Sequence, residues 1–269
     1  MRHDASTHFP PCRGTPSGRR VIPALLGAAV LGLITIPGLL RAQDTTGQAP
    51  ADPATASAAA PTAPAAKPEM PEALPNGDIR LGGITLHRAA RELSFPAKIQ
   101  IATGIVEVLI AKSPEGRLYE SLLGTEVRPF HLQTLLILLG AKNGIRFSGR
   151  EQPQGDLFDL DVQWRKKDGS TVREPVENWI LNNNKKAPMT RVGWVFVGTT
   201  FQNGVPDADV EGNLVLTWSS GSTVLDMPVP EGDVENEFVI NEQHPEPPVD
   251  TPVTVFVKPR PPAVAMPKK

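Results

Sequence analysis

Residues 119–140 read YESLLGTEVRPFHLQTLLILLG, and this stretch holds the only strongly helical apolar run after the N-terminal segment. Pro129 suits the first position of a helix, and Gly140 is a typical stop signal. The leucines at 132, 135, 136 and 139 follow helical spacing, and Ile137 and Leu138 widen their stripe. The stretch therefore predicts a helix over about 129–140 that is covered on most sides and lies at the centre of the core.

Alternating polar and apolar residues on both sides of this helix predict strands. The clearest strand is 157–164 (LFDLDVQW), which is followed by a hairpin turn at Lys167–Ser170. Residues 194–198 (WVFVG) predict a buried strand. Residues 214–218 and 223–227 predict the two arms of a second hairpin.

These elements together predict an α+β fold with mostly antiparallel sheets packed around the apolar helix at about 129–140. The predicted domain covers residues 76–259, which is long enough for a proper core. Before it, residues 43–75 are rich in Ala and Pro and predict a disordered linker. After it, residues 260–269 predict a disordered tail.

The first 42 residues have the features of an export signal. Residues 21–40 form an uncharged apolar run that is about long enough to span a bilayer, and Arg19 and Arg20 precede it. A signal peptide cleaved after Ala42 and an uncleaved signal anchor both remain open. Either interpretation predicts an extracytoplasmic domain, periplasmic or secreted, that meets the membrane only through residues 21–40 if the signal is uncleaved.

Charge and cysteine content exclude several classes of function. Residues 1–42 carry a net charge of +4 in a chain of −2, so the remainder is acidic at −6. No basic cluster replaces phosphate counterions, and we expect no nucleic-acid partner. The single cysteine, Cys12, precedes the apolar run, so the exported part has no disulfide and an iron–sulfur cluster is unsupported. The expected partner is an envelope protein or a cell-surface ligand of unknown identity.

Several motifs follow one another across Asp78–Pro259. They are the strand 105–110 after Gly104, the step Glu120-Ser121-Leu122-Leu123, His131 with Leu135, Leu136 and Gly140, the strand 194–198, Gly212-Asn213-Leu214, and Leu225-Asp226-Met227-Pro228. Together they resemble the YdjY-domain family of exported bacterial proteins. The order and spacing of these motifs carry the resemblance. The family has no established activity, so the resemblance implies export and one α+β domain.

Glu120 and His131 form the first candidate site. A histidine in the first helical turn is disfavoured from taking a second positive charge, so a neutral ring that can bind a metal is plausible there. The pair predicts either part of a divalent-metal site or an acid–base pair. The alternative is a structural hydrogen bond that ties the start of the helix to the preceding strand. Ser121 beside them suggests a hydrolase, although no G-x-S-x-G motif is present.

The acidic segment Asp207–Asn213 (DADVEGN) is the second candidate site. Asp207, Asp209 and Glu211 stand at positions 1, 3 and 5 of a calcium-loop pattern, with glycine at position 6. Position 12 is Trp218 instead of a bidentate glutamate, so an acidic hairpin loop is the alternative interpretation.

The four tryptophans, at positions 164, 179, 194 and 218, could line a carbohydrate platform or pack in the core. We predict no cofactor, although a divalent metal remains open. The sequence as a whole predicts an exported binding or structural module rather than an enzyme. A metal-binding protein using Glu120/His131 or the Asp207–Glu211 segment, and a hydrolase using Ser121/His131, are the alternatives.

Overall fold

The structure is a computed structural model, and it describes residues 69–148, 152, 154–245 and 247–261. The predicted export signal at 1–42 and most of the predicted linker at 43–75 lie outside these residues. Within the described ranges, no helix has the length and apolar character needed to cross a bilayer. The described residues all belong to one compact unit.

Strands make up most of the regular structure. In chain order they are β1 (Glu72–Ala73), β2 (Ile79–Leu81), β3 (Ile84–His87), β4 (Glu92–Ile99), β5 (Val108–Lys112), β6 (Ser121–Thr125), β7 (Leu157–Arg165), β8 (Thr171–Pro175), β9 (Ile180–Asn182), β10 (Ala187–Pro188), β11 (Trp194–Phe196), β12 (Phe201–Gln202), β13 (Val205–Pro206), β14 (Asn213–Leu216), β15 (Leu225–Asp226), β16 (Phe238–Ile240) and β17 (Pro252–Pro259). The helices are α1 (Pro129–Leu138) and α2 (Asp207–Glu211), with 3₁₀ turns at Leu118–Glu120, Val176–Trp179 and Pro230–Asp233.

Eight of these strands close on themselves into a barrel. The order around the barrel is β4, β17, β7, β11, β15, β14, β5, β6 and back to β4. Six neighbouring pairs are antiparallel, whereas β14–β15 and β5–β6 are parallel. Strands β3, β2 and β1 continue from β4, and β8 pairs with the far end of β7. Separate small sheets are formed by β10–β9–β16 and by β12–β13.

The alternating sequences of the long strands explain the core of this barrel. In β7 every second residue from Phe158 to Trp164 is buried, and the residues between them are partly exposed. In β17 the three valines at 253, 255 and 257 are buried in the same way. Side chains on alternate positions of a strand face opposite sides of a sheet, so one side of each strand fills the core. The hairpin predicted at Lys167–Ser170 is confirmed by the antiparallel pairing of β7 with β8.

The predicted α+β fold, with sheets packed around a central helix at about 129–140, is wrong. The chain forms a mainly β structure with a closed eight-stranded barrel. Helix α1 does form, but only one of its faces is buried, through Leu132, Leu135 and Leu136. Ile137 and Leu138, which suggested a helix covered all round, are 53% and 51% exposed. The helix packs against β3, β14 and α2, so it covers part of the sheet without forming its centre.

The hairpin predicted for residues 214–218 and 223–227 is also wrong. Strands β14 and β15 lie side by side but run parallel, with Val215 opposite Leu225. Two contacts lie at the limits of the predicted domain. Strand β1, which precedes residue 76, pairs with β2, and Arg260 binds Asp159 across 2.9 Å.

A short connection joins the two strands of each parallel pair. Because both strands run in the same direction, this connection must carry the chain back along the length of the first strand before the second strand begins. We call residues 113–120, between β5 and β6, the first crossover, and residues 217–224, between β14 and β15, the second crossover. Val108, Ala111 and Leu216 form a small apolar cluster outside the main core, and Leu118 of the first crossover packs on it. This cover explains why β5 is buried along four of its five residues.

Two leucines of α1 test the one-sided position of this helix. Leu135→Ala should lower the free energy of unfolding by about 2–5 kcal/mol, because it removes a fully buried side chain. Leu138→Ala removes an exposed side chain and should change the free energy by no more than about 0.5 kcal/mol. Urea unfolding followed by fluorescence measures both. Equal losses in the two variants would contradict the described position of α1.

Candidate functional site

The structure places Glu120 and His131 in different surroundings. Glu120 forms an ion pair with Arg117, whose Nη1 lies 2.6 Å from Glu120 Oε1. His131 is buried beside Gly82, and its Nδ1 lies 3.8 Å from Glu69 Oε2. Burial is the main cause that lowers the pKa of His131, and the charge of Arg128 adds to it, so the ring is neutral at pH 7. The contacts described for the two side chains do not join Glu120 to His131.

Ser121, the candidate nucleophile, is fully buried at the start of β6. Its hydroxyl donates a 2.6 Å hydrogen bond to the backbone carbonyl of Arg117. A serine nucleophile needs an exposed hydroxyl within reach of a base, and the described contacts of Ser121 provide neither.

The three acids of the calcium-like segment lie on helix α2 and turn toward different partners. Asp207 accepts from the Thr200 hydroxyl, and Asp209 binds both Arg128 and the backbone N–H of Phe130. Glu211 accepts from Asn213 and from the backbone N–H of Ser222. Over the ranges that the structure describes, no three metal-binding side chains come together. Asp209 instead ties α2 to the first turn of α1, where orphan N–H groups need acceptors.

The tryptophans separate clearly by burial. Trp164, Trp179 and Trp194 are 5%, 3% and 0% exposed and belong to the core. Trp218, two residues after the end of β14, is partly exposed. It lines a cavity of about 430 Å³ together with Arg117, Glu211, Asn213 and Ser220. We call these five residues the Trp218 cavity.

Arg117 organises the Trp218 cavity from the first crossover. Its guanidinium lies 3.1 Å from Glu107 and 2.6 Å from Glu120, and it donates a 2.9 Å hydrogen bond to the hydroxyl of Ser220. Its Cζ also lies 6.0 Å from the centroid of the Trp218 ring, a cation–π distance. One side chain therefore connects both crossovers to the start of β5.

The strand topology explains why these residues meet. Glu107 directly precedes β5, and its carbonyl accepts the backbone N–H groups of both Thr217 and Trp218. Its own N–H donates to the carbonyl of Glu120, which directly precedes β6. The beginnings of β5 and β6 and the end of β14 therefore lie at one end of the sheet. The first crossover returns to this end of the sheet, and the second crossover leaves from it. The Trp218 cavity lies between the two crossovers.

One glycine is required for the close packing around the cavity. Gly212 has a φ of 72°, and a Cβ there would lie 2.4 Å from the backbone nitrogen of Gly116. Gly221 lies against the carboxylate of Glu211, and a Cβ on Gly221 would lie 2.2 Å from Glu211 Oε2, so this side chain would have to move. Gly212 therefore fixes one wall of the cavity through the backbone.

Asn213 is the most buried polar residue of the cavity wall, at 2% exposure. Its Nδ2 donates to Glu211 and to the carbonyl of Ser222, at 2.9 and 3.2 Å. Its Oδ1 is buried and accepts no hydrogen bond from the described residues. A buried acceptor without a donor is costly, and a ligand donor that reaches it would remove this cost.

Acidic groups outnumber basic ones around Arg117. Glu107 is only 6% exposed, and burial raises the pKa of its carboxyl, with the charge of Glu120 as the next cause. Arg117 acts in the opposite direction but does not cancel these effects. Two carboxylates, Glu107 and Glu120, thus bind one guanidinium, and Glu211 is a further carboxylate in the lining of the same cavity.

A second ion pair holds the other side of the second crossover. Arg146 donates to the backbone carbonyls of Ser219 and Gly221, and its Nε lies 3.1 Å from Asp226 Oδ2. Asp226 also accepts from the Ser219 hydroxyl at 2.8 Å. Its side chain is fully buried, and this burial raises the pKa of Asp226 to about 6 despite the neighbouring Arg146. Arg117 and Arg146 therefore both hold residues 219–221 in the middle of the second crossover.

A larger open cavity, of about 870 Å³, lies beside Arg191 and Arg260. Both arginines are already bound to Asp159, and Arg191 also binds Asp161. No aromatic side chain lines this cavity among the described residues. Its charged groups satisfy one another, whereas the Trp218 cavity combines an aromatic surface with an unpaired acceptor.

Sequence reasoning named Glu120, Glu211, Asn213 and Trp218, although not as one site, and it missed Arg117, Glu107 and Ser220. Arg117 belongs to no motif, and nothing in the sequence connects it with residues about one hundred positions away. Asn213 entered only as the last residue of the calcium-like segment and as part of a motif of the family resemblance.

The pKa of Asp226 gives a test of the support beneath the cavity. Between pH 3.8 and about 6 the folded protein binds a proton that the unfolded chain releases, so stability from this group is present at low pH and is lost as pH rises through 6. The free energy of unfolding of the wild type, measured relative to that of Asp226→Asn, should therefore fall by on the order of 2–3 kcal/mol between pH 4 and pH 7. Urea unfolding at several pH values gives this difference.

Asp168→Asn is the matched control for Asp226→Asn. Hydrogen bonds from Ser170 lower the pKa of the exposed Asp168 carboxyl, so its contribution to stability is lost as pH falls. The free energy of unfolding of the wild type minus that of Asp168→Asn, plotted against pH, should therefore have the opposite slope to the same curve for Asp226→Asn. A flat difference curve for Asp226→Asn would contradict the described environment of Asp226.

Comparisons with protein-family models, with curated proteins and with solved structures each found no match for this chain.

Proposed function

We propose that this chain is an exported binding module and that its ligand occupies the Trp218 cavity. The proposed ligand is rich in hydroxyl groups, as a saccharide of the cell envelope is. Export is inferred from the apolar run at 21–40 and the arginines before it. The resemblance to YdjY-domain proteins supports the same location and adds no activity.

The observation that carries this proposal is the position of Trp218. Trp164, Trp179 and Trp194 are buried, Trp164 beside another cavity of about 480 Å³, whereas Trp218 is partly exposed where it lines its own cavity. Aromatic rings give a large flat contact area with little loss of conformational freedom, which suits the apolar face of a sugar ring. Binding sites in general combine such apolar surface with a few fixed polar groups.

The polar groups of the cavity match hydroxyl ligands. Glu211 provides carboxylate acceptors, Asn213 has an unfilled acceptor, and Ser220 can both donate and accept. Arg117 and Glu211 are held by other side chains or backbone groups before any ligand arrives. Fixed side chains lower the entropy that binding costs. The described contacts of Ser121, His131 and the α2 acids favour neither a hydrolase nor a metal-binding protein over this binding function.

Trp218→Ala tests the proposed function. Calorimetric titration of the wild type with a panel of cell-envelope oligosaccharides should detect binding, and the variant should bind the same ligand about tenfold more weakly, since contact with an aromatic ring contributes about 0.5–1.5 kcal/mol beyond the area that it buries.

Phe201→Ala is the control, because Phe201 is an exposed aromatic residue (51%) that does not line the cavity. It should bind as the wild type does. Unchanged affinity in Trp218→Ala, or an equal loss in both variants, would show that the ligand binds elsewhere.

A further inference from the structure

The charges around the Trp218 cavity do not balance. Arg117 is the single cation of its lining, and Glu107 and Glu120 both bind this guanidinium. Glu211 adds a third carboxylate to the same cavity. When all four groups are ionised, the net charge is −2. A cavity with this charge attracts cations and repels anions.

Glu211 is the carboxylate that remains available to a ligand. Its Oε2 accepts two hydrogen bonds, both 2.9 Å long, from the Asn213 amide and the Ser222 backbone. Both donors are uncharged, and no cation lies within ion-pair distance of Glu211 among the contacts that the structure describes. The residue itself is exposed at the end of α2. A carboxylate that is fixed in place without a countercharge favours a cationic partner.

Arg117 shows how the cavity accommodates a positive group. The guanidinium lies near the face of Trp218 and is bound by two carboxylates and one hydroxyl. Aromatic faces attract cations, and this attraction adds to that of the carboxylates. A ligand ammonium group between Trp218 and Glu211 would meet the same kinds of groups.

We infer that the ligand of the Trp218 cavity carries a positive charge, and that it is an amine-bearing saccharide whose ammonium group pairs with Glu211. This inference rests on the proposed function, because it specifies the ligand class of the same cavity. The sugar ring stacks on Trp218, its hydroxyls bond to Asn213 and Ser220, and its ammonium replaces the missing countercharge of Glu211. Saccharides with carboxylate groups are repelled.

The test compares three oligosaccharides of equal length on the full chain by calorimetric titration at low salt. They are a glucosamine oligomer, the N-acetylated form of the same oligomer, and a uronic-acid oligomer. The amine form should bind about tenfold more tightly than the acetylated form, a difference of about 1.4 kcal/mol, and the acidic form should bind most weakly. Added salt should reduce the preference for the amine form, because it screens exposed charges.

Glu211→Gln keeps the size and the acceptor oxygen of the side chain but removes its charge. In this variant the ratio of amine to acetylated affinity should fall to within about threefold. Glu126→Gln removes one charge from an exposed residue outside the cavity and should keep the wild-type ratio. Thermal melting of both variants checks that each is folded.

The outcomes separate the two proposals. If the wild type binds the acetylated or the acidic oligomer as tightly as the amine form, the inference is overturned and the proposed saccharide binding stands. If Glu211→Gln keeps the full preference for the amine form, the assignment of Glu211 is overturned. If no oligomer binds to the wild type, the proposed function itself fails, and the inference fails with it.

Discussion

Closure of the barrel between β4 and β6 is the constraint on which the rest of the structure depends. Lys98 and Ile99 lie opposite Gly124 and Leu123, and the N–H of Gln100 donates to the carbonyl of Leu122 at 2.9 Å. The same edge of β4 pairs with β3 at its beginning. Pro96, which has no N–H, lies between these two partners, where its carbonyl accepts the Thr125 hydroxyl. Pro96 therefore lies at the point on β4 where the neighbouring strand changes from β3 to β6.

This closure determines where the candidate site forms. Strand β6 pairs with β4 on one side and runs parallel to β5 on the other. Residues 113–120 therefore have to run back from the end of β5 to the level of its start. The parallel pairing of β14 with β15 imposes the same return on residues 217–224. Arg117 on the first crossover then meets Ser220 on the second. Glu107 and Glu120 reach this meeting point because they directly precede β5 and β6, so the fold supplies the shape of the cavity and part of its charge.

Local patterns in the sequence predicted individual elements better than their arrangement. The leucine spacing predicted α1, and the alternation in 157–164 predicted β7, because each pattern reflects the burial of one face. The parallel course of β14 and β15 was not predictable, since two apolar segments joined by a short serine-rich turn normally form a hairpin. Their outer partners β5 and β11 decide the pairing instead. The Trp218 cavity was missed for a related reason: Arg117 and Ser220 are 103 residues apart, and only the barrel brings them together.

Amide hydrogen exchange at Gln100 tests the closed barrel most directly. Its N–H belongs to the β4–β6 seam, whereas the central residues of β17 pair with β4 and β7 well inside the sheet. A closed barrel predicts that the Gln100 amide exchanges about as slowly as the amide of Val255, because both open only when the sheet unfolds. Fast exchange at Gln100 beside slow exchange at Val255 would show an open sheet, and would contradict the basis of the crossovers and of the Trp218 cavity.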